Sequence, residues 1–295
     1  MEIEDIGRLG VWTWLDGMSA EEAVDFTGQL EAWGYPVLWM PEAVGREPFS
    51  LFGYLAARSE TLIFANGISN IYARDPMALR ATQQTLADLS GGRFILGLGV
   101  SHEPMVKGMR GHEYGKPVTT MRNTLEAISK ALYVGPAPDE EAPIVIAALR
   151  PKMLELAAQM CRGAHPYNVT PDHTARAREI MGTGPWLCPD QKVILESDPG
   201  RARELGRKNI STYLELPNYR NNWLWQGFEE SDLADGGSDH LIDSIYAWGD
   251  EQAIGDRLQA HYDAGADHVC LQTVRTDGEG GPDLQVLEIF APAKN

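Results

Sequence analysis

The chain has 295 residues, 43% of them hydrophobic, with a formal net charge of −17 and a pI near 4.8. That balance argues against a nucleic-acid binder, which needs a basic footprint. No apolar run approaches the roughly eighteen residues of a membrane span, and the N-terminal MEIEDIGRLG carries acids where a secretory signal carries Lys or Arg. Cys161, Cys188 and Cys270 lie far apart and form no C-x-x-C pair, so reduced thiols in a cytoplasmic protein are expected.

Candidate strands alternate with candidate helices from end to end. The first strand, 8–14, precedes a helix that Ser19 and Glu22 open as a capping box and Gly34 closes. Strands 37–42 and 62–69 follow, and Asp75 with Pro76 then starts a helix running to the glycines at 91 and 92. Strand 93–100 ends in glycines and delivers Ser101, His102 and Glu103 in succession; glycines there let another molecule approach the backbone. Strands 143–149, 163–169, 192–197 and 268–274 complete a set of eight, with helices opening at Pro151 and Asp250. The runs are short, apolar and poor in alternation, as in parallel strands covered on both faces. Strand then helix, eight times over, predicts a (β/α)8 TIM barrel in the α/β class, with 1–295 as one domain and no Gly- or Pro-rich linker. Two long connections, 101–142 and 198–267, predict insertions after strands four and seven.

Barrel chemistry sits at the C-terminal ends of the strands. The candidates are therefore Thr13 and Trp14, Glu42, Asn66 to Asn70, Val100 to His102, Ala148 to Arg150, Asn168, Glu196, and Gln272 with Thr273. Taken alone, His102 reads first as a hydrogen-bonded loop histidine; its place at a strand end makes it the leading proton carrier. Glu42 reads equally as the partner of a nearby arginine. Arg150, Pro151 and Lys152 open a helix whose free amides suit a phosphate, or are simply solvated charges. Tyr219, Trp223, Trp225 and Phe228 form either an aromatic satellite core or a ligand wall. The remaining histidines show no metal-ligand spacing, so no metal is assigned, and there is no P-loop or G-x-S-x-G.

The block YARDPMALRATQQTLADLSGGRFILGLGVSH (72–102) resembles the luciferase-like monooxygenase superfamily, with its R-x-P-x-x-x-A helix, S-x-GR turn and glycine-rich fourth strand. WMPEA (39–43), the stretch 143–179 and WGDEQAIGDRLQAHYDAGADHVCLQTV (248–274) are similar to the branch that uses the deazaflavin coenzyme F420. The resemblance implies a ring in the barrel mouth against a bulged third strand, with a non-prolyl cis peptide among Asn66, Gly67 and Ile68. It implies that Gly99, Val100, Ser101 and His102 border the ring, and that Ala148, Leu149 and Arg150 hold its phosphate. His102 then acts as acid or base, Glu42 as a second choice or an orienting contact, and Thr13, Trp14, Tyr219 and Trp223 wall the substrate.

The histidine that several members of that superfamily carry just after strand two is here Ala43, and the glutamate that the related dehydrogenases carry after strand four is here His102. Three readings stand. The first is an F420-dependent oxidoreductase acting on a small, largely uncharged substrate. The others are an FMNH2-dependent monooxygenase and a catalytically silent ligand-binding barrel. The relatives' habit implies a homodimer.

Overall fold

The computed structural model describes residues 1–136, 138 and 140–294; Ala137 and Asp139, within the expected insertion 101–142, and the terminal Asn295 lie outside the described residues. Its strands are β1 (Leu9–Trp12), β2 (Val37–Met40), β3 (Ile63–Asn66), β4 (Ser69–Asn70), β5 (Phe94–Gly99) and β6 (Ile144–Ile146). They continue as β7 (Gly163–Ala164), β8 (Trp186–Leu187), β9 (Asp190–Ile194), β10 (Tyr246–Trp248) and β11 (Val269–Thr273). All pair in parallel, in the order β10-β9-β11-β1-β2-β3-β5-β6-β7-β8, with β4 beside β5.

The sheet closes on itself through one piece of chain. β8 pairs with β7 at one end of the order, while β9 pairs with β11 near the other, and only Cys188 and Pro189 separate β8 from β9. Cys188 donates its amide to Ala164 and Pro189 accepts from Cys270, so the junction touches both neighbours. This is the expected barrel.

Strand residues alternate between two apolar cores. Leu38, Phe64, Leu96 and Ile146 face the helices, whereas Val37, Trp39, Ile63, Ala65, Ile95 and Val145 fill the interior. Burial on both sides is why these strands read as apolar runs without polar alternation.

Observed strands are shorter than expected, mainly at their C-terminal ends. The run 37–42 pairs only to Met40, 143–149 only to Ile146, and 163–169 only to Ala164; the residues beyond leave the ladder and form the mouth. Run 62–69 is split into β3 and β4 by a bulge at 67–68. The seventh strand starts at Trp186, earlier than 192, and β10 lies unannounced within the connection 198–267. Both insertions are present: a π-helix (Pro104–Met109) and an α-helix (Pro117–Lys130) follow β5. After β9 come helices Pro199–Leu214, Pro217–Gln226 and Asp239–Ile245. No helix of the described residues is long and apolar enough to cross a membrane.

Candidate active site

The bulge after β3 forms one side of the mouth. Trp12, the last residue of β1, donates its indole N–H to the Gly67 carbonyl at 2.9 Å. A Cβ on Gly67 would stand 2.5 Å from that nitrogen, so only glycine fits. The Gly67–Ile68 peptide bond is cis. The glycines of β5 are explained by the same bulge: a Cβ on Gly97 would lie 1.7 Å from the Asn66 carbonyl, and one on Gly99 would lie 2.3 Å from Ile68 Cδ1. The backbone approach expected at this strand is made by the chain's own third strand.

Glu42 ties the bulge down. Its amide donates to the Ile68 carbonyl, its Oε2 accepts from the Asn70 amide at 2.9 Å, and its Oε1 meets Arg74 Nη1 at 2.8 Å. Arg74 also pairs with Glu47 and stacks on Phe49. Both carboxylate oxygens are engaged, so Glu42 sits as an ion-pair partner holding the strand.

His102 follows β5, the strand that pairs with β4. Its Nδ1 lies 2.9 Å from Asn218 Oδ1; an amide oxygen only accepts, so Nδ1 carries the hydrogen and Nε2 keeps a free lone pair. Burial pulls its pKa below the ordinary value, with the Asn218 contact opposing, which leaves the ring neutral at pH 7. Val100 before it is half-buried, and Ser101 adopts a left-handed backbone (φ 54°) and accepts from the Tyr114 hydroxyl.

Asn218 belongs to helix Pro217–Gln226, which carries the aromatic segment. The ring of Tyr219 is 5.5 Å from that of His102 and 6.1 Å from that of Tyr167, while Trp223 donates to the Asn168 carbonyl at 3.1 Å. Trp14 stands edge-on to Trp12 at 5.6 Å, and Thr13 is buried with its amide on the Trp39 carbonyl. The structure thus brings His102, Trp14, Tyr219 and Trp223 to one mouth, through Trp12 and Tyr167.

Ala148, Leu149 and Arg150 form the turn into helix Pro151–Met160, with Ala148 buried and Arg150 exposed. The buried His173 Nε2 donates to the Leu149 carbonyl at 2.7 Å and fixes the turn.

Sequence reasoning missed a polar pair inside the barrel. Asp190 and Lys192 lie two residues apart on β9 and are each 1% exposed. The Lys192 ammonium sits 4.4 Å from the ring centre of Tyr213, 4.7 Å from that of Tyr167 and 5.6 Å from that of Tyr246. Neither Asp190 oxygen nor Lys192 Nζ has a side-chain hydrogen-bond partner. Burial drives both groups toward their neutral forms, raising Asp190 and lowering Lys192, while their mutual attraction opposes it. The only sequence signal was the i, i+2 spacing, which places both side chains on one face of a strand.

Whether the mouth suits a planar heterocycle with a polar edge is tested by its unpartnered atoms. Both amide atoms of Asn66, Ser69 Oγ and Asn70 Nδ2 are buried along the bulge without a partner. Such groups need donors and acceptors that a ring's N–H and C=O edge supplies. The residues fit. Among the described residues no group of three or more His, Cys, Asp or Glu is placed to hold a metal ion.

Comparisons with known proteins give the family and the fold. The family model described as luciferase-like monooxygenase matches residues 6–268. A Mycobacterium tuberculosis protein named as a candidate coenzyme F420-dependent oxidoreductase is 24% identical over 207 residues, covering 60% of this chain and 59% of its own. The 5,10-methylenetetrahydromethanopterin reductase of Methanolobus tindarius is 27% identical over 150 residues, covering 45% and 46%. The chain therefore spans about half the length of these curated relatives. Among solved structures, an F420-dependent secondary alcohol dehydrogenase holding an F420–acetone adduct superposes with a TM-score of 0.73 at 14% identity, covering 97% of this chain and 96% of the other. An FMN-bound type II Baeyer–Villiger monooxygenase component from Pseudomonas putida gives 0.68 at 17% identity, covering 97% of each. At such identities these likenesses show the fold.

Proposed function

The chain belongs to the luciferase-like monooxygenase family, and from that premise we propose that it is an F420-dependent oxidoreductase moving a hydride between the deazaflavin and a small, largely uncharged organic molecule. The observation that carries this reading is the mouth: a row of unpartnered polar atoms lies along the bulge, and the neighbouring strand β5 leads to a histidine held by Asn218 and packed on Tyr219. Relatives whose names carry the same coenzyme support it. When bound, the coenzyme supplies a two-electron hydride carrier, which leaves the protein to bind, orient and move a proton.

Asn66, Gly67 and Ile68 form the backstop for the ring, with Gly99, Val100 and Ser101 beside it. The turn Ala148–Leu149–Arg150 offers the helix-start amides and a cation to the phosphate. His102 Nε2 accepts or returns the substrate's proton, and Asn218 fixes the tautomer that allows it. Glu42 acts as a positioning residue, holding the bulge through Ile68 and Asn70. Trp14, Tyr219 and Trp223 exclude water and take the apolar body, with Thr13 below. On the same reading the protein is a cytoplasmic homodimer.

The test is a parallel fluorescence titration of the purified protein with F420 and with FMN. Tight binding of F420 alone is expected. Preference for FMN would move the protein to reduced-flavin monooxygenase chemistry, and binding of neither would leave a barrel that only takes some other ligand. In the loaded enzyme, H102A is expected to lower turnover by roughly 10²–10⁴-fold while F420 affinity holds. Equal losses in both would make His102 a binding residue.

A further inference from the structure

The reading above leaves the most unusual part of the molecule without a task. Asp190 and Lys192 are charged groups buried in the barrel interior on the strand beside β11, and Gln272, opposite Lys192 in the ladder, also has a buried unpartnered oxygen. Isolated buried charges are expensive, and an ion pair recovers part of that expense only when the two groups meet. Here they do not: no ion pair joins Asp190 to Lys192 among the described residues, and the ammonium instead rests on the faces of Tyr213, Tyr167 and Tyr246. Tyrosine faces stabilise a cation without using its N–H donors. All three donors of Lys192 stay available, and the Asp190 carboxylate, approached by the Asn168 backbone amide, keeps acceptor capacity to spare, with the unpartnered side-chain amide of Asn168 beside it.

The pair is also continuous with the mouth. Tyr167 packs on Trp12 at 5.1 Å, Trp12 is bonded to Gly67 of the bulge, and Tyr219 joins Tyr167 and Tyr213 to His102.

We propose that Lys192 and Asp190 together receive one oxygen of the substrate, a hydroxyl or the carbonyl it becomes, on the inner side of the mouth. The proposal rests on the oxidoreductase reading and names the group on which that chemistry acts. A hydroxyl oxygen accepts from Lys192 while its hydrogen is donated to Asp190, so one atom satisfies both charges at hydrogen-bonding distance. A carboxylate or phosphate would satisfy Lys192 but meet the like charge of Asp190. The selected class is therefore neutral alcohols and carbonyl compounds with an apolar body.

For oxidation the balance is complete. The carbinol C–H bond breaks and its hydrogen leaves with both electrons to the hydride acceptor, which is reduced. The O–H bond breaks with its proton passing first to Asp190 and from there to His102 Nε2, and C=O forms. Lys192 holds the charge that develops on oxygen. Burial holds the Asp190 carboxyl high enough to keep such a proton and the Lys192 ammonium low enough to share one.

The experiment needs no turnover. Protein labelled with 13C at lysine Cε and loaded with F420 is titrated with cyclohexanol, cyclohexanone and cyclohexanecarboxylate, following the lysine cross-peaks by NMR. Lys192 is one of seven lysines and is identified by the peak missing in K192M. The Lys192 peak is expected to move saturably with the alcohol and the ketone and to ignore the carboxylate. In D190N the alcohol should bind at least tenfold more weakly. A Lys192 peak that ignores all three ligands, moves only with the carboxylate, or responds to the alcohol equally in D190N would overturn the assignment. If a single replacement strands a charge and unfolds the protein, K192M/D190L removes both together, and cyclohexanol binding to it, read by saturation-transfer NMR on the alcohol's own signals, must be at least tenfold weaker than to wild type; equal binding would overturn the assignment. F420 fluorescence on the same samples keeps the two claims apart. Failure of wild-type protein to bind F420 sinks the oxidoreductase reading, whereas normal F420 binding with a silent Lys192 sinks only this one.

Discussion

The two sides of the mouth handle buried charge in opposite ways. At the bulge, Glu42 spends one carboxylate oxygen on Arg74 and the other on the Asn70 amide, and Arg74 is further held by Glu47 and Phe49. On β9, Asp190 and Lys192 are as deeply buried and have no such partners. A network whose members satisfy one another fixes a shape and has little left to offer a ligand. A pair that stays unsatisfied weakens the fold and keeps its hydrogen-bonding capacity for something else. The contrast separates scaffolding charge from charge held in reserve.

The largest expected effect comes from breaking the satisfied side. R74A leaves the Glu42 carboxylate, only 7% exposed, without its counter-charge. It should lower the unfolding free energy in urea by roughly 3–5 kcal/mol; a loss below about 1 kcal/mol would show that the pair is not a scaffold. The reserved side should respond with the opposite sign. Replacing both charges in K192M/D190L removes an unmet desolvation cost and should raise stability by about 1–4 kcal/mol. A double variant less stable than wild type would mean that the pair is structural after all.

A third, smaller handle per group is pH. Burial lowers His165, His173 and His268 to about 4 and His261 to about 3. Each is neutral in the fold and has an ordinary pKa when unfolded, so the unfolded chain binds more protons below neutrality. Their stabilisation is complete above about pH 6.5 and is lost as pH falls toward 4, at up to about 1.4 kcal/mol per pH unit for each histidine. H261Q should reduce the proton uptake on acid unfolding by one, measured as the slope of unfolding free energy against pH; an unchanged slope would contradict the neutral, buried assignment. Asp190, with its pKa raised, works in the other direction over the same range, so K192M/D190L should steepen the acid slope.

Much of this architecture was legible in the residues. Apolar runs marked strands because the barrel buries both faces, and the capping box at Ser19 and the Asp75–Pro76 helix start are where they were expected. Strand ends were overextended because Pro41 and Glu42, or Ala148 and Leu149, look like strand while serving the mouth. The opposite error hid the start of the seventh strand before Lys192: Asp190 and Gln191 are polar, Pro189 lacks an amide, and periodicity reads such a stretch as loop. His102 was singled out by its position at a strand end, and its partner Asn218 lies 116 residues away, a contact that no local pattern carries. Lys192 escaped for a related reason, since an aromatic cage drawn from Tyr167, Tyr213 and Tyr246 exists only once three separate elements have converged.

The seam at Cys188 and Pro189 closes the ring before the long insertion begins, and β10 then returns beside β9, with Tyr246 opposite Lys192. The excursion from Leu195 to Ile245, which carries the aromatic cover and Asn218, thus leaves and rejoins the sheet at neighbouring strands. It behaves as a cassette plugged into one socket. Exchanging it for the corresponding segment of another member should re-tailor what the mouth admits while the registers of the ring stay as they are.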